Sequence, residues 1–371
     1  MKTYVVLFAL AACGDNGLPH ATTDASTTTD GSSVDAGSPT PRAIAVAGDY
    51  TTPPGVLSSL DIHSLKMSTN LKQGTVTDDP VIRHAGDRLL IINRDTNNVT
   101  ILNAADLSLV TQIAIGPNSD PQDAVIVGNN VYVPALHTSG VVIGHLDGAS
   151  ATTLDLHTAT GDTDGKPNCD GAIAVGTDVY VTCGNLDDTN VNLPAKTVGK
   201  IVVIDTTTNT VRTTIDMPVK NPTGNIVAYG TTALFMPTYG ATDGCTVKVT
   251  TGATPTATCE FMNSTLNTNG GTMQSLDING ALLIFGYSDG FFTGSWARTY
   301  DTVAHTLGAN LTPDTQAIHD VALCPEGQIA VTEGQFGAAG GIRVYNNTTE
   351  LTTDAISIGI APSFGGGLIC Y

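Results

Sequence analysis

A short pattern recurs three times along the chain, and it constrains the fold more than any other feature. Each copy combines a glycine turn with a short apolar segment that is typical of a β-strand. The copies are VGNNVYVP (127–134), VGTDVYVT (175–182) and YGTTALFM (229–236), and their glycines are 48 and then 54 residues apart. A repeat of this length that contains only strands and turns predicts a β-propeller of four-stranded antiparallel blades.

Blade-sized segments can be followed along the whole predicted domain, residues 42–371. Its 330 residues divide into seven blades of about 47 residues, although six or eight blades stay open because blade edges are hard to assign. The six complete blades are predicted at 81–120, 121–161, 166–217, 220–262, 267–313 and 314–360. Residues 364–371 have the pattern of an innermost strand, and residues 42–47 and 56–62 that of second and third strands. We therefore expect the C-terminal strand to pair with the N-terminal strands and close the seventh blade.

Composition supports an all-β domain and limits its partners. Hydrophobic residues make up 41% of the 371 residues and charged residues only 13%, while residues that favour strands and turns are abundant. The formal net charge is −19, from 15 basic and 34 acidic residues. Such a charge repels nucleic acid and anionic membrane surfaces, so we expect neither as the main partner. It permits cation binding, although solubility is the simpler explanation.

The N-terminus resembles the signal of a bacterial lipoprotein. An apolar stretch (4–10) is too short to span a bilayer, and LAAC (10–13) resembles a lipobox. The resemblance implies that residues 1–12 are a signal peptide and that the sulfur of Cys13 carries a lipid. Residues 13–41 then form a polar tether that has almost nothing to bury and is expected to be disordered. We expect a protein exported to the outer membrane or cell surface; an ordinary signal peptide with an incidental cysteine is the alternative.

The strand pattern resembles that of the YVTN, or YncE-like, propeller family. The resembling segments are NVYV (130–133), DVYVT (178–182) and IVVIDTTTNTV (201–211), with looser copies at 98–103 and 109–113. The resemblance implies a seven-bladed propeller in an exported protein. It implies no agreed activity.

The cysteines predict disulfides in an oxidising compartment, because six remain when Cys13 is set aside. Cys169 and Cys183 flank one predicted hairpin turn, and Cys245 and Cys259 flank another in the same manner. We expect each pair to face each other across adjacent antiparallel strands.

The remaining cysteines, Cys324 and Cys370, lie late in predicted innermost strands of the last blade and the closing blade. A bond between them would fasten the ring. Whether neighbouring innermost strands approach closely enough for a disulfide stays open at this point. A metal site has little support, because the chain contains no Cys-x-x-Cys motif and no histidine cluster.

An acidic loop at the start of one blade is a candidate calcium site. Its oxygen-bearing side chains are Asp162, Asp164, Asn168 and Asp170. Calcium takes six to eight such ligands, and the loop at 184–199 could add more. Turn chemistry explains the same residues equally well, since the closing glutamate of an EF-hand is missing and Lys166 would oppose the cation.

In propellers, the loops that join blades and the loops between second and third strands share one face, which usually carries the site. Polar and aromatic residues predicted on this face are Asp49, Arg94, His137, Tyr239, Asp289, Phe291, His319, Asp320 and Glu333. His319 and Asp320 begin an innermost strand, where a histidine can be a base, a ligand or part of the channel lining. Tyr239 and Phe291 could stack on a sugar or peptide, or cap a blade.

The sequence contains no zinc-protease motif and no dinucleotide fingerprint. The leading prediction is therefore a monomeric, non-enzymatic propeller whose face binds a protein, peptide or glycan. The alternative is a lactonase-like hydrolase that acts on a sugar lactone, because a related propeller family includes seven-bladed lactonases. This alternative requires a compact catalytic cluster, for which the candidates are Glu333, His319, Asp320 and His137.

Overall fold

The structure is a computed structural model that describes residues 41–48, 54–190, 192–240, 242–290, 294–313, 317–334 and 339–371. Within these ranges, twenty-nine strands pair into seven antiparallel sheets. The helical elements there are α1 (His157–Thr160) and a 3-10 turn at Asn263–Thr265. Neither is long or apolar enough to cross a membrane. The predicted all-β, seven-bladed propeller is confirmed.

Each sheet is one blade, and in blades 2 to 7 the chain runs through the strands from the innermost to the outermost. Blade 1 contains β1 (Arg42–Ala47), β2 (Val56–Asp61), β3 (Met67–Leu71) and the last strand of the chain, β29 (Leu368–Cys370); blade 2 contains β4 (Pro80–Ala85), β5 (Arg88–Asn93), β6 (Asn98–Asn103) and β7 (Leu109–Ala114). Blade 3 contains β8 (Val125–Val127), β9 (Asn130–Pro134), β10 (Gly140–His145) and β11 (Thr152–Asp155); blade 4 contains β12 (Cys169–Val175), β13 (Asp178–Cys183), β14 (Lys200–Asp205) and β15 (Thr210–Asp216); blade 5 contains β16 (Val227–Tyr229), β17 (Ala233–Met236), β18 (Cys245–Thr250) and β19 (Thr256–Met262). Blade 6 contains β20 (Gly271–Asn279), β21 (Leu282–Asp289), β22 (Ser295–Asp301) and β23 (Thr306–Asn310); blade 7 contains β24 (Ala317–Leu323), β25 (Gln328–Gly334), β26 (Gly341–Asn346), β27 (Thr349–Glu350) and β28 (Ile356–Ser357). In blade 7 the outermost strand is split, and both β27 and β28 pair with β26.

The two ends of the domain share blade 1, as predicted. β29 is its innermost strand and pairs antiparallel with β1, with Ile44 opposite Ile369. Two backbone hydrogen bonds between Arg42 and Tyr371, of 2.9 and 3.1 Å, extend the ladder by one position. The pairing completes the first sheet and covers a strand edge that would otherwise be open to association.

Three disulfides join the predicted cysteine pairs. Cys169 and Cys183 lie opposite each other in the first hairpin of blade 4. Cys245 and Cys259 join the two outer strands of blade 5, but they are not directly opposite as expected. A register shift after Thr246 places Cys259 opposite the residue two positions beyond Cys245, which leaves the Cα atoms 5.7 Å apart.

The third disulfide links blade 7 to blade 1. Cys324 follows β24 and Cys370 ends β29, and their Cα atoms are 4.8 Å apart. These innermost strands therefore approach within the range that a disulfide spans. The bond fastens the last complete blade to the closing strand.

The hydrophobic core lies between neighbouring blades. Ile44 and Leu57 of blade 1, for example, pack with Ile82 and Leu89 of blade 2. Each middle strand meets a neighbouring blade on both faces. β5 and β14 therefore each contain four consecutive buried apolar residues. This arrangement explains why the repeated strands do not alternate between apolar and polar residues.

The tyrosine of the repeated pattern connects each blade that carries it to the next. The hydroxyl of Tyr132 donates to Oδ1 of Asn209 at 2.5 Å, in the turn between β14 and β15. The hydroxyl of Tyr180 accepts a longer bond, 3.4 Å, from the backbone N–H of Gly252, in the equivalent turn of blade 5. In the third copy the sequence has Leu234 at this position. The turn there is one residue longer, so Phe235, which lies opposite Val227, takes the place of the tyrosine and lacks the hydroxyl. The repeat therefore specifies a contact between blades as well as a strand.

Candidate functional site

At one rim of the propeller, the second strand of each blade ends and the third strand begins. We call this rim the loop rim. The predicted face residues that the structure describes all lie in or near this rim: Arg94, His137, Tyr239, Asp289, His319, Asp320 and Glu333. Asp49 and Phe291 lie outside the described residues, as do Cys13 and all but the last residue of the predicted tether.

Arg94 connects blade 2 with blade 3. Its guanidinium forms an ion pair with Asp79 of the preceding loop, and its Nη1 donates to Oε1 of Gln122 at 3.3 Å. Nε2 of Gln122 in turn donates to Oδ1 of Asp120 at 2.7 Å. Burial raises the pKa of Asp120, whereas the charges of Arg94 and His137 lower it; the net shift is upward.

His137 lies between two carboxylates from different loops. Its Nε2 is 3.9 Å from Oδ2 of Asp120, and its Nδ1 is 3.6 Å from Oδ1 of Asp188. These are ion-pair separations, longer than hydrogen bonds. Oδ1 of Asp188 is also 3.8 Å from Nζ of Lys166. The His137 and Lys166 side chains are 29% and 43% exposed, so both remain accessible at the rim.

These contacts form a continuous polar surface across blades 2, 3 and 4. We call it the rim cluster; it consists of Asp79, Arg94, Asp120, Gln122, His137, Lys166 and Asp188. Acidic and basic side chains alternate along it. Such a surface can make charge-assisted hydrogen bonds to a ligand that carries groups of both signs.

The predicted calcium ligands have separate partners. Nζ of Lys196 is 2.8 Å from Oδ1 of Asp162 and 2.8 Å from Oδ2 of Asp164, so an ammonium group lies between these two carboxylates. Asn168 and Asp170 instead bond to backbone groups of the preceding and the following blade. Across the described residues, no three His, Cys, Asp or Glu side chains are grouped so that they could hold a metal ion. Calcium binding stays a prediction.

The four residues considered for hydrolysis are engaged separately. Nδ1 of His319 is 2.7 Å from the carbonyl oxygen of Pro362, and burial lowers the pKa of this imidazole. Asp320 accepts hydrogen bonds from three backbone N–H groups. Oε2 of Glu333 is 2.9 Å from Nε of Arg343. His137 belongs to the rim cluster. Among the described residues, no hydrogen bond or ion pair joins two of the four.

Segment GYSDG (286–290) matches the Gly-x-Ser-x-Gly pattern of serine hydrolases. In those enzymes the serine lies on a sharp turn from a strand into a helix. Ser288 instead lies within β21, opposite Ser295 of the next antiparallel strand, and Asp289 ends the strand and accepts a 3.4 Å hydrogen bond from the backbone of Gly294. The match is therefore not a nucleophile elbow.

Four buried aspartates, which we call the axial acids, were not anticipated as a group. They lie in or beside innermost strands, and each accepts a hydrogen bond from the backbone of the next blade. The bonds run from Ala172 N to Asp123 (3.0 Å), from Gly224 N to Asp170 (2.5 Å), from Leu323 N to Asp277 (2.7 Å), and from Gly366 N and Leu368 N to Asp320 (2.9 and 2.8 Å). The axial acids thus hold neighbouring blades together around the axis.

The sequence does contain a signal for the axial acids. With Asn225, they occupy positions 123, 170, 225, 277 and 320, at spacings of 47, 55, 52 and 43 residues that follow the blade period. Nδ2 of Asn225 donates to the carbonyl of Leu276 in the next blade at 2.9 Å, so it has the same role. Burial raises the pKa of Asp170, Asp277 and Asp320 to about 6. Arg83 pairs with Asp123 at 2.8 Å.

No family model matches this chain, and no curated protein matches it. Similar solved structures include the β-propeller domain of Cps50 (Swd1) from Myceliophteria thermophila, which is 10% identical with a TM-score of 0.61 and a match that covers 82% of this chain and 93% of that chain. Apo AztD from Citrobacter koseri is 13% identical with a TM-score of 0.54, covering 89% and 98%. A catalytically inactive virginiamycin B lyase from Staphylococcus aureus, in complex with quinupristin, is 16% identical with a TM-score of 0.51, covering 77% and 84%. At such identities these likenesses show the propeller fold and nothing about activity.

Proposed function

We propose that this protein is a binding protein and that the rim cluster recognises a polypeptide partner. The supporting observation is the continuous, partly exposed surface that Arg94, Asp120, His137, Asp188 and Lys166 form across three blades. Its alternating charges complement a polypeptide, which presents carbonyl, amide and charged groups at short intervals. Rigid sheets hold the loops that carry these side chains, so little order has to be gained on binding.

Exposed aromatic residues add a second type of contact. Tyr239 is 44% exposed and Phe364 is 38% exposed, both in loops at the loop rim. Aromatic side chains contribute large contact areas and are enriched in protein interfaces. They favour a partner larger than a single ion or a small polar molecule.

The geometry favours binding over hydrolysis. Asp320 uses its carboxylate to join blades, and Glu333 is paired with Arg343. His319 is 4% exposed and bonded to the backbone, and His137 lies in a different part of the rim. A lactone hydrolase needs an acid, a base or a metal that act on one substrate atom. The contacts of these four residues do not favour that arrangement.

We further propose that the propeller works outside the cytoplasm, anchored through Cys13 by a tether that ends near residue 41. Three disulfides support an oxidising compartment. The lipobox-like LAAC at 10–13 supports the anchor. A tethered domain could meet a partner at some distance from the lipid surface.

The test uses residues 41–371 as bait in envelope extracts, with photo-crosslinking at the rim cluster. We expect a partner that the unchanged domain retains and that His137→Gln and Lys166→Met, alone or combined, release. Each lost polar contact should weaken binding by about tenfold. Both substitutions lie at accessible side chains and should preserve the fold, which circular dichroism and the melting temperature check.

Arg88→Gln is the matched control. Arg88 begins β5 at the opposite rim and pairs with its neighbour Asp87, so the change removes a basic group without touching the loop rim. Retention of the same partner by the His137→Gln/Lys166→Met domain would contradict the proposed site. Retention of a glycan fraction instead of a protein would reject the polypeptide assignment and keep the site.

A further inference from the structure

A polar cavity of about 250 Å³ lies in blade 1, at the rim opposite the loop rim. It is lined by Arg42, Ser59, Asp61, Ser64, Lys66 and Ser68. Strand register explains how they meet. Arg42 lies opposite Asp61 across β1 and β2, and the backbone N–H of Asp61 donates to the carbonyl of Lys66 at 3.1 Å. Residues opposite each other in antiparallel strands project to the same face.

A second row of the same face is formed by hydroxyl groups. Ser59, two residues before Asp61 in β2, lies opposite Ser68 of β3. Since side chains two positions apart share a face, the two serines lie beside the Arg42–Asp61–Lys66 row. The apolar cluster between blades 1 and 2, which includes Ile44 opposite Ser59, ends at this row. The cavity therefore opens where the interblade core stops.

The guanidinium of Arg42 is fixed at the edge of the cavity. Its Nη2 donates to the carbonyl oxygen of Ala104 and, at 3.2 Å, to that of Ala105, both in blade 2. Its Cζ lies 5.0 Å from the ring centre of Tyr371. These contacts hold the guanidinium in place, and none of them is with an anion.

The carboxylate of Asp61 is largely engaged within its own turn. Its Oδ1 accepts hydrogen bonds from the backbone N–H of Ser64 at 2.7 Å and from the Ser64 hydroxyl at 2.8 Å. The cavity is thus lined by two cations against one anion, in a chain whose net charge is −19. Its remaining side chains, Ser59, Ser68 and Lys66, all supply donors.

We propose that this cavity binds a small oxyanion, that is, a carboxylate, sulfate or phosphate group. The guanidinium of Arg42 and the ammonium of Lys66 provide charge-assisted donors, and the hydroxyls of Ser59 and Ser68 complete the shell. The site is independent of the rim cluster and lies at the other end of the blades. The two local positive charges attract the ligand, and added salt weakens this attraction because the charges lie at the surface.

The test is isothermal titration calorimetry of the disulfide-bonded domain with sodium sulfate, sodium phosphate and sodium acetate, each against sodium chloride at equal ionic strength. We expect saturable binding of at least one of the three. The affinity should fall by about tenfold or more in Lys66→Met, as expected for loss of one charge-assisted bond. Ser68→Ala, which removes an exposed hydroxyl without a charge change, should also weaken it.

Lys72→Met is the matched control, because Lys72 is an exposed lysine just past the other end of β3 and does not line the cavity. It should leave the affinity unchanged. The proposal is overturned if none of the three anions gives saturable heat, if Lys66→Met binds as tightly as the unchanged protein, or if Lys72→Met weakens binding equally. A preference for acetate over the tetrahedral anions would support the site and identify a carboxylate ligand.

Discussion

Asp277 allows the contribution of the axial acids to be measured. Its carboxylate accepts hydrogen bonds from the backbone N–H groups of Ile278 and Leu323, and burial raises its pKa from 3.8 to about 6. Between these values the folded protein holds a proton that the unfolded chain has released. Stability therefore falls as the pH rises through this interval, and the loss is complete above about pH 6. A shift of about 2 pKa units corresponds to about 3 kcal/mol.

The substitution Asp277→Asn removes this titration while keeping the size of the side chain. The NH2 group of the asparagine must face one of the two backbone N–H groups that donate to the carboxylate. This repulsion lowers the free energy of unfolding by the same amount at every pH. Relative to the unchanged protein, the free energy of unfolding of Asp277→Asn should therefore increase by up to about 3 kcal/mol between about pH 4 and about pH 7. Urea denaturation at several pH values measures both proteins, and titrations that they share, such as that of His319, cancel in the difference.

Asp106→Asn is the control for this experiment. Asp106 is exposed, and its hydrogen bonds from the Ser108 hydroxyl and backbone lower the pKa of its carboxyl. Its stabilising effect is present above the unfolded pKa and is lost only at more acidic pH, so its difference from the unchanged protein should stay constant across the same interval. A constant difference for Asp277→Asn as well would refute the argument that a buried, ionised carboxylate joins blades 6 and 7.

Tyr132→Phe should lower the free energy of unfolding by about 1 kcal/mol, because it removes an interblade hydrogen bond but keeps the ring; an unchanged urea midpoint would reject this role. Replacing Cys324 and Cys370 together by serine opens a loop of 46 residues and should cost about 4 kcal/mol, against about 3 kcal/mol for either hairpin bond with its 14-residue loop. A larger loss of stability for either hairpin bond than for the Cys324–Cys370 bond would show that ring closure does not depend on the Cys324–Cys370 bond. If the acidic loop binds calcium, Lys196→Met, which lacks the competing ammonium, should bind it more tightly than the unchanged protein; no heat from either chelator-treated protein in calorimetry would reject the site.

The architecture could be predicted because its signals are local and periodic. A turn and an apolar run recur in three successive blades, with a tyrosine in two of them, and their spacing indicated the blade length. The segments left over at both ends indicated the closure through β29 and β1. The pairing of Cys169 with Cys183 followed from the hairpin between them. The offset between Cys245 and Cys259 could not be predicted, because the spacing of the cysteines gives no sign of the register shift after Thr246.

The candidate site could be predicted only in part. The blade register placed Arg94 and His137 on the loop rim, but it gave no indication that Asp120 and Asp188 would flank the imidazole. These contacts join loops of different blades, and their positions depend on how the sheets twist around the axis. Lys196 illustrates the same limit: it is 34 residues from Asp162, and only the fold shows that its ammonium meets that carboxylate.

The buried and exposed acids of this propeller have different consequences for function. Asp123, Asp170, Asp277 and Asp320 direct their carboxylates at backbone N–H groups, and removing such an acceptor would leave buried donors unsatisfied, at about 1–3 kcal/mol each. Selection for a new ligand can rarely act on them without weakening the ring. In the rim cluster, His137 and Lys166 are accessible and contact neighbouring carboxylates only at ion-pair separations, so changing them is expected to weaken the ring less. Recognition is therefore expected to vary through the loops that carry them while the axial acids stay fixed.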